Sequence, residues 1–430
     1  MKRFLFLFSD TGGGHRASAQ AVKEELERLY GDQQVVEMVD IFVALGQWPF
    51  RRFPEWYPTA VGLNGIPWGM GFHLSDDVGL MKTMSRLVWP YARTALCNVL
   101  HAHPADVVVS FHPIPNYSVS LGLAQLHEPT PLAVVVVDLV TTHASWFTPG
   151  PDMYLVPTAA ARQRALRCGI LPSRVHIRGM PTRRSFVTAM GLPKQEARQR
   201  LGLAPDRDIV LVTGGGDGMG PLQQVVHALA YTLADRADIV VITGKNSALQ
   251  AALGGRGDGA AIDDPACKKR ASPARHTKLA GRAGPLPPSV HIEGFVDNME
   301  IWMRAADILV TKAGPNTVAE AFIAGLPIVL YTALPGQEEG NVSYVVENGA
   351  GIWAPTPRQV SRAVAHLLTD VEEHRTMAER SRTMATPHAT EDIAHDLWSL
   401  TRRDVSPLRS NLKRSHERHR CPPDARAGDH

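Results

Sequence analysis

The residues with the most chemistry in them sit where short apolar runs end in glycine-rich turns. The run at residues 4–8 leads into Ser9-Asp10-Thr11-Gly12-Gly13-Gly14-His15, after which ASAQAVKEELERL reads as a helix. Glycines let the backbone turn sharply and leave amides free at a helix N-terminus, where an anion or polar ligand approaches closely. His15 places a titratable side chain in that turn, and a neutral imidazole, with an ordinary pKa of about 6.5, suits proton abstraction near pH 7. As spelled, Gly12-x-Gly14-x-x-Ala17, with Asp40 ending the next apolar run, equally fits a loose dinucleotide fingerprint. A nicotinamide-dependent oxidoreductase built on residues 12–17 therefore stays open on this motif alone.

The second half repeats the arrangement with different chemistry. Thr213-Gly214-Gly215-Gly216-Asp217-Gly218-Met219-Gly220 follows an apolar run but has neither Walker A spacing nor its Lys-Ser/Thr, which argues against ATP hydrolysis and leaves a phosphate-facing glycine loop. Gly294-Phe295-Val296 ends another run. Thr311-Lys312-Ala313-Gly314-Pro315-Asn316-Thr317 then turns into a helix that Thr317 is placed to cap, with Glu320 in its first turn. Loop amides at such a turn suit a diphosphate, and a carboxylate one turn along suits the hydroxyls of a ribose. Leu334-Pro335-Gly336-Gln337-Glu338-Glu339-Gly340-Asn341 adds an amide and carboxylates of the kind that bind sugar hydroxyls.

The elements that must hold these residues are legible from hydropathy. Continuous apolar runs at 4–8, 35–40, 106–111, 132–139 and 153–158, and again at 208–215, 238–244, 290–295, 307–314 and 327–332, alternate with helical stretches. Runs without polar alternation mark strands buried on both faces, hence parallel sheets covered by helices, here in two tandem α/β domains. With 430 residues, two cores are expected. The proline-spaced stretch 181–206 supplies the boundary, giving an N-terminal domain over 1–185 and a C-terminal domain over 186–400. Residues 251–290, rich in Gly, Ala, Pro and basic side chains, read as a disordered insertion, and 401–430 as a disordered basic tail.

Charge narrows the function classes. The net charge is +3, but 251–290 carries seven Lys/Arg against three Asp/Glu and 401–430 eight against four, which leaves the body at −5. That is not a nucleic-acid-binding surface. The four cysteines lack CxxC spacing, so neither a disulfide framework nor a thiolate metal site is indicated, and a reducing cytosol is the expected compartment. The opening MKRFLFLFSD has too short an apolar run for a signal peptide and reads as the first strand; no run of about 18 apolar residues occurs. Membrane contact must then be peripheral. Residues 41–95 hold four of the eight tryptophans, and Trp48, Phe50, Arg51, Arg52 and Trp56 interleave aromatic and basic groups as an interfacial loop would. A non-catalytic membrane-binding module is consistent with that segment taken by itself.

Taken together and in order, SDTGGGHRASAQAV, VVSFHPIPNY, VVVVDLVTTHASWF, GFVDNMEIWM, TKAGPNTVAEA and PGQEEGNVSYVVENGAG closely resemble the monogalactosyldiacylglycerol synthase family, over about residues 3–390. That family groups with the processive diacylglycerol glucosyltransferases and the peptidoglycan N-acetylglucosaminyl transferases. The resemblance implies an α/β GT-B architecture, with two Rossmann-like domains whose parallel sheets face across a cleft. It implies inverting, metal-independent transfer of a hexose, galactose ahead of glucose, from a UDP-sugar to diacylglycerol, with no cofactor. Transfer of N-acetylglucosamine to a lipid-linked cell-wall precursor is the alternative within the same chemistry. On this resemblance His15 matches the general base. Gly214, Gly215, Gly216, Phe295, Val296, Gly314, Pro315, Asn316, Thr317, Glu320, Gln337, Glu338 and Asn341 border the donor, with Phe295 at the uracil, Glu320 at the ribose, and Gln337 and Glu338 at the sugar. Gly13, Gly14, His112, Asp138, His143 and Trp146 border the acceptor. The implied partners are a UDP-sugar, diacylglycerol and an anionic membrane surface, with the protein peripheral on the cytoplasmic face.

Overall fold

The computed structural model describes residues 1–10, 13–46, 66–126, 130–216, 218–233, 236–254 and 286–402. Trp48, Phe50, Arg51, Arg52 and Trp56, together with most of 251–290 and nearly all of the tail, lie outside them. The chain divides into two compact units: Met1–Arg183 with Pro335–Gln337 and the segment from His388 on, and Arg184–Leu334 with Glu338–Pro387.

In the first unit the elements run β1 (Lys2–Phe8), α1 (Gly14–Tyr30), β2 (Gln34–Asp40), α2 (Ile41–Ala44), α3 (Ile66–Ser75), α4 (Val78–Ala102), β3 (Val107–Ser110), α5 (Asn116–Leu123), β4 (Leu132–Val135), β5 (Met153–Val156), α6 (Ala159–Arg167) and β6 (Val175–Ile177). The strands form one parallel sheet in the order β2-β1-β3-β4-β5-β6. Every residue of β3, β4 and β5 is buried, which is why their sequences carry no polar alternation. Edge strand β2 is mostly half-buried and does carry Glu37. Leu5, Leu7, Val108 and Leu132 from the sheet pack against Trp89, Leu96 and Leu100 of α4 and Tyr117 and Leu121 of α5.

The second unit runs α7 (Arg184–Ala189), α8 (Lys194–Arg200), β7 (Asp208–Thr213), α9 (Leu222–Leu233), β8 (Ala237–Ile242), α10 (Ser247–Ala252), β9 (Val290–Glu293), α11 (Met299–Ala305), β10 (Ile308–Lys312), α12 (Pro315–Ala324), β11 (Ile328–Thr332), α13 (Glu339–Glu347), β12 (Gly351–Trp353), α14 (Pro357–Leu367) and α15 (Val371–Met384). Its parallel sheet has the order β12-β11-β10-β7-β8-β9. Central strands β7 and β10 are flanked on both sides, so the turns that follow them lie at the middle of the sheet's C-terminal edge, where open α/β folds bind ligands.

Each strand expected from an apolar run is present. The sequence reading did not pick out β6 and β12, because three residues at a sheet edge are too short to show a hydropathy pattern and form through pairing with β5 and β11. The last helix, α16 (Ala389–Leu400), was expected with the second domain but packs on the first unit. Trp398 stacks on Tyr30 of α1 with centroids 3.8 Å apart, Arg178 makes a two-point ion pair with Asp396 at 2.6 and 3.2 Å, and Thr390 Oγ1 donates to the Thr182 carbonyl at 2.6 Å. No apolar period along α16 could say which of two similar cores it would cover.

Because Leu397 is wholly buried in that packing, Leu397→Ala should destabilise the first unit by about 2–5 kcal/mol. Urea unfolding followed by the first unit's signal checks this; an unchanged midpoint would mean the helix is not part of that core.

Candidate active site

The first unit's site is built around His15. Gly13 caps α1 in the left-handed region (φ 77°), which a side chain would strain although space is free there, and the Ala17 amide already bonds the Gly13 carbonyl at 3.0 Å. The helix therefore starts at Gly14, one residue before His15, rather than after it. His15 Nδ1 lies 2.7 Å from the Phe111 carbonyl at the end of β3. A carbonyl only accepts, so Nδ1 carries the proton and Nε2 presents a lone pair. Burial lowers the His15 pKa to about 4, against the smaller upward pull of the Phe111 carbonyl, and keeps the ring neutral at pH 7.

The rings around it are close. His112 is 4.7 Å from His15 between centroids and Trp146 is 6.2 Å away, while Phe42 of α2 meets His112 edge-on at 5.1 Å. His112 is buried, and its Nδ1 accepts from the Ile114 amide at 3.3 Å, so its proton sits on Nε2. Burial first, and the neighbouring His15 second, hold its pKa well below the usual histidine value. Trp146 Nε1 donates to Asp138 at 2.6 Å; the other Asp138 oxygen accepts from Gln337 Nε2 at 3.0 Å, Gln337 belonging to this same unit. His143 stands apart from this group of rings: its Nδ1 accepts from the Ser145 hydroxyl at 2.7 Å and its Nε2 faces Ser75 at 3.2 Å. It fastens α3 to the loop that carries Trp146. Of the expected acceptor group, Gly13, Gly14, His112 and Trp146 thus gather at His15, and Asp138 joins through Trp146.

Asp40 does not offer itself to a ribose. One oxygen accepts from the amides of Phe42 and Val43 as the cap of α2, and the other from the Asp10 amide at 3.0 Å. The carboxylate that a dinucleotide fingerprint needs is spent on local structure.

The second unit gathers its polar groups at the ends of β7 and β10. Gly214 lies close to Met219: the Met219 amide bonds the Gly214 carbonyl at 3.0 Å, and a Cβ on Gly214 would fall 2.6 Å from the Met219 nitrogen. The Lys245 amide bonds the Gly216 carbonyl at 2.8 Å, and a Cβ on Gly244 would meet that oxygen at 2.3 Å. Helix α12 begins with Gly314 as cap and Pro315 at its first position, where a missing N–H is harmless. Thr317 is therefore inside the helix and caps nothing, and the half-buried Glu320 lies beyond the first turn. Phe295 is 60% exposed with Lys245 Nζ 5.9 Å from its ring centroid, an open aromatic face, and Val296 beside it is half-buried. Asn341 Nδ2 donates to the Ala313 carbonyl at 2.8 Å, while its buried Oδ1 finds no partner among the described residues.

Lys312 is the residue that sequence reasoning quoted and passed over. Its ammonium pairs with Glu338, which is 4% exposed and whose second oxygen accepts from the Leu334 amide at 3.0 Å. A Cβ at Gly215 would sit 3.1 Å from Lys312 Cε, and one at Gly314 would sit 3.0 Å from Nζ. The lysine thus lies between the glycine loop after β7 and the start of α12, with Glu338 bracing it rather than standing free for hydroxyls. A charged residue ending an otherwise buried strand was the available signal. His366, Asp370 and Glu373 form a group with metal-ligand geometry among the described residues, but it is exposed and includes none of these side chains.

Comparison with known proteins decides what this arrangement belongs to. The profile of the monogalactosyldiacylglycerol (MGDG) synthase family matches residues 15–182, and that of the glycosyltransferase family 28 C-terminal domain matches 209–397. A probable monogalactosyldiacylglycerol synthase 2 of rice (Oryza sativa subsp. japonica) is 34% identical over 418 residues, covering 95% of this chain and 82% of that one. Monogalactosyldiacylglycerol synthase 3 of Arabidopsis thaliana is 33% identical over 93% of this chain and 82% of its own. The chain belongs to the monogalactosyldiacylglycerol synthase family.

It is accordingly a glycosyltransferase. Its fold is shared with the MurG of Acinetobacter baumannii (TM-score 0.56, 14% identity, 93% of this chain and 100% of that one) and with the MnaA of S. aureus, solved with UDP (TM-score 0.55, 13% identity, 95% and 99%). The GT-B expectation is met in its two Rossmann-like units, each with a six-stranded parallel sheet. Within this family assignment, Lys312→Met should weaken UDP binding at least tenfold by calorimetry without unfolding the second unit. An unchanged Kd would mean that Lys312 holds no diphosphate.

Proposed function

We propose that the protein transfers galactose from UDP-galactose to the free hydroxyl of diacylglycerol, with inversion at the anomeric carbon and without a metal ion or cofactor. The observation that carries this reading is the tautomer of His15. Its Nε2 is unprotonated and its Nδ1–H is anchored on the Phe111 carbonyl, so the ring is set to receive a proton on a known atom. The names of the curated relatives supply the substrate class.

In the proposed step the acceptor hydroxyl oxygen forms a bond to the anomeric carbon as the bond from that carbon to the UDP oxygen breaks, and the hydroxyl proton passes to His15 Nε2. The imidazolium so formed keeps its bond to Phe111. A general base at this position contributes about 10²–10⁴-fold. The leaving diphosphate gains charge, which the Lys312 ammonium and the start of α12 would offset. Attack on an α-linked donor from the face opposite the diphosphate yields a β-galactoside. No helix among the described residues is long and apolar enough to cross a membrane, and the reading makes the protein peripheral on its membrane.

The test is to incubate the pure protein and diacylglycerol vesicles with UDP-galactose, UDP-glucose and UDP-N-acetylglucosamine in turn, with EDTA present, and to identify the lipid formed. A β-galactosyl diacylglycerol from UDP-galactose alone is expected, with His15→Ala about 10²–10⁴-fold slower while UDP still raises its melting temperature. Another sugar in the product, an α-linkage, an EDTA requirement or full activity in His15→Ala would each overturn the corresponding part.

A further inference from the structure

One ring N–H beside His15 is left without a partner among the described residues. The Nδ1–H of His15 goes to the Phe111 carbonyl and the Nε1–H of Trp146 to Asp138. His143 is occupied on both nitrogens, by Ser145 and by Ser75. His112 differs: its Nδ1 takes the Ile114 amide at 3.3 Å, its proton sits on Nε2, and that N–H meets no acceptor among the described residues. A donor in a side chain only 3% exposed gains much from an acceptor that a ligand brings to it. Nε2 is not among the fully enclosed polar atoms of the described residues, so a ligand reaches it from the side on which solvent does.

The ring is also held in one orientation. The Ser110 hydroxyl donates to the His112 carbonyl at 3.0 Å and accepts from its amide at 3.4 Å, the Ile114 amide fixes which edge of the imidazole faces the turn, and Phe42 of α2 packs edge-on at 5.1 Å. A side chain that only filled space beside Phe42 would need the last contact and neither of the others. Burial, and after it the neighbouring His15, hold its pKa well below the usual value, so the Nε2–H tautomer persists at pH 7.

His15 presents the complement, a lone pair on Nε2. The two ring centroids are 4.7 Å apart and inclined at 55°, so the Nε2 atoms are separated by no more than that distance plus two ring radii, and neither bonds the other. A free acceptor and a free donor at this spacing match a molecule with a hydroxyl on one carbon and a carbonyl oxygen attached through the next. The diacylglycerol of the proposed reaction has that pattern, because the carbon beside its free hydroxymethyl carries an ester. With the hydroxyl donating to His15 and the ester carbonyl accepting from His112, rotation about the bond between those two carbons stops. A primary alcohol held by one hydrogen bond keeps that rotation, and removing it is the orientational part of catalysis.

We propose that His112 reads the acceptor: its Nε2–H binds the ester carbonyl oxygen next to the reacting hydroxyl, and the protein thereby selects acylglycerols over alcohols that lack that carbonyl. This rests on the diacylglycerol acceptor proposed above. The experiment measures kcat/KM with UDP-galactose in detergent micelles for dioleoylglycerol bearing a primary hydroxyl and for its diether analogue, which keeps the hydroxyl and both chains but has no carbonyl. The full-length protein is compared with His112→Phe, His112→Asn and His112→Gln. Phenylalanine fills the ring's space without an N–H, asparagine can still take the Ile114 amide but is too short to place a donor where Nε2 stood, and the amide nitrogen of glutamine can stand in for Nε2–H.

The unaltered protein is expected to favour the ester about tenfold, a preference that falls to about twofold or less in His112→Phe and His112→Asn and returns in His112→Gln. The rate on the diether, measured in every variant, shows whether the fold and the transfer step survive. Full preference for the ester in His112→Phe, or no preference in the unaltered protein, would overturn the proposal. Equal losses on both acceptors in His112→Phe that asparagine reverses and glutamine does not would overturn it too, and would leave His112 as a part of the turn at 110–114. No transfer to any acylglycerol by the unaltered protein would sink the proposed function itself, and the reading of the ester with it.

Discussion

The bond from His15 Nδ1 to the carbonyl of Phe111 is the constraint on which the first unit's chemistry depends. It joins the first turn of α1, which follows β1, to the end of β3, the sheet neighbour of β1, and in doing so fixes which nitrogen is free. Every other feature nearby serves that geometry. The left-handed Gly13 brings α1 round after β1; Phe111 is held in register by its own amide bonding Leu7 at 2.8 Å; His112 and Trp146 pack beside the ring. The result exchanges proton affinity for a single protonation state: an imidazole that burial keeps neutral would, as the proposed base, accept a proton reluctantly but always be ready to accept one.

In the proposed reaction the second unit would meet the departing diphosphate with one buried ion pair, Lys312–Glu338, and the start of α12. Lys312 and Glu338 are both largely withdrawn from solvent, and such a pair stabilises little in itself because desolvation offsets most of the attraction. What it does is hold an ammonium beside two glycine turns, where an added Cβ would fall 3.1 Å from Lys312 Cε at Gly215 and 3.0 Å from Nζ at Gly314. A ligand phosphate would take a charge already placed, with little reorganisation left for the moment of transfer.

How much of this the sequence carried varies with the range of the interaction. Continuous apolar runs gave the strands of both sheets, because burial on two faces leaves its mark in consecutive residues. The edge strands β6 and β12 and the return of α16 to the first unit left no such mark, since they depend on partners distant along the chain. At the site, a histidine in a glycine turn and a Gly-Pro turn after a strand were visible as local chemistry, and six motifs in order pointed to the family. The cap assigned to Thr317 failed because Pro315 begins the helix two residues earlier. Lys312 was missed because its importance comes from Gly215, Gly314 and Glu338, which are neighbours only in the fold. Asp40 looked like a ribose ligand by spacing, but its oxygens hold α2 and the Asp10 amide.

The account stands on the protonation state of one imidazole, and nitrogen-detected NMR of the protein labelled at histidine reads it directly. His15 should show a proton on Nδ1, none on Nε2, and no titration until the pH falls to about 4. A ring that carries its proton on Nε2 would contradict the assignment of His15 as the pre-set base, and one that titrates near the ordinary value of about 6.5 would contradict its burial.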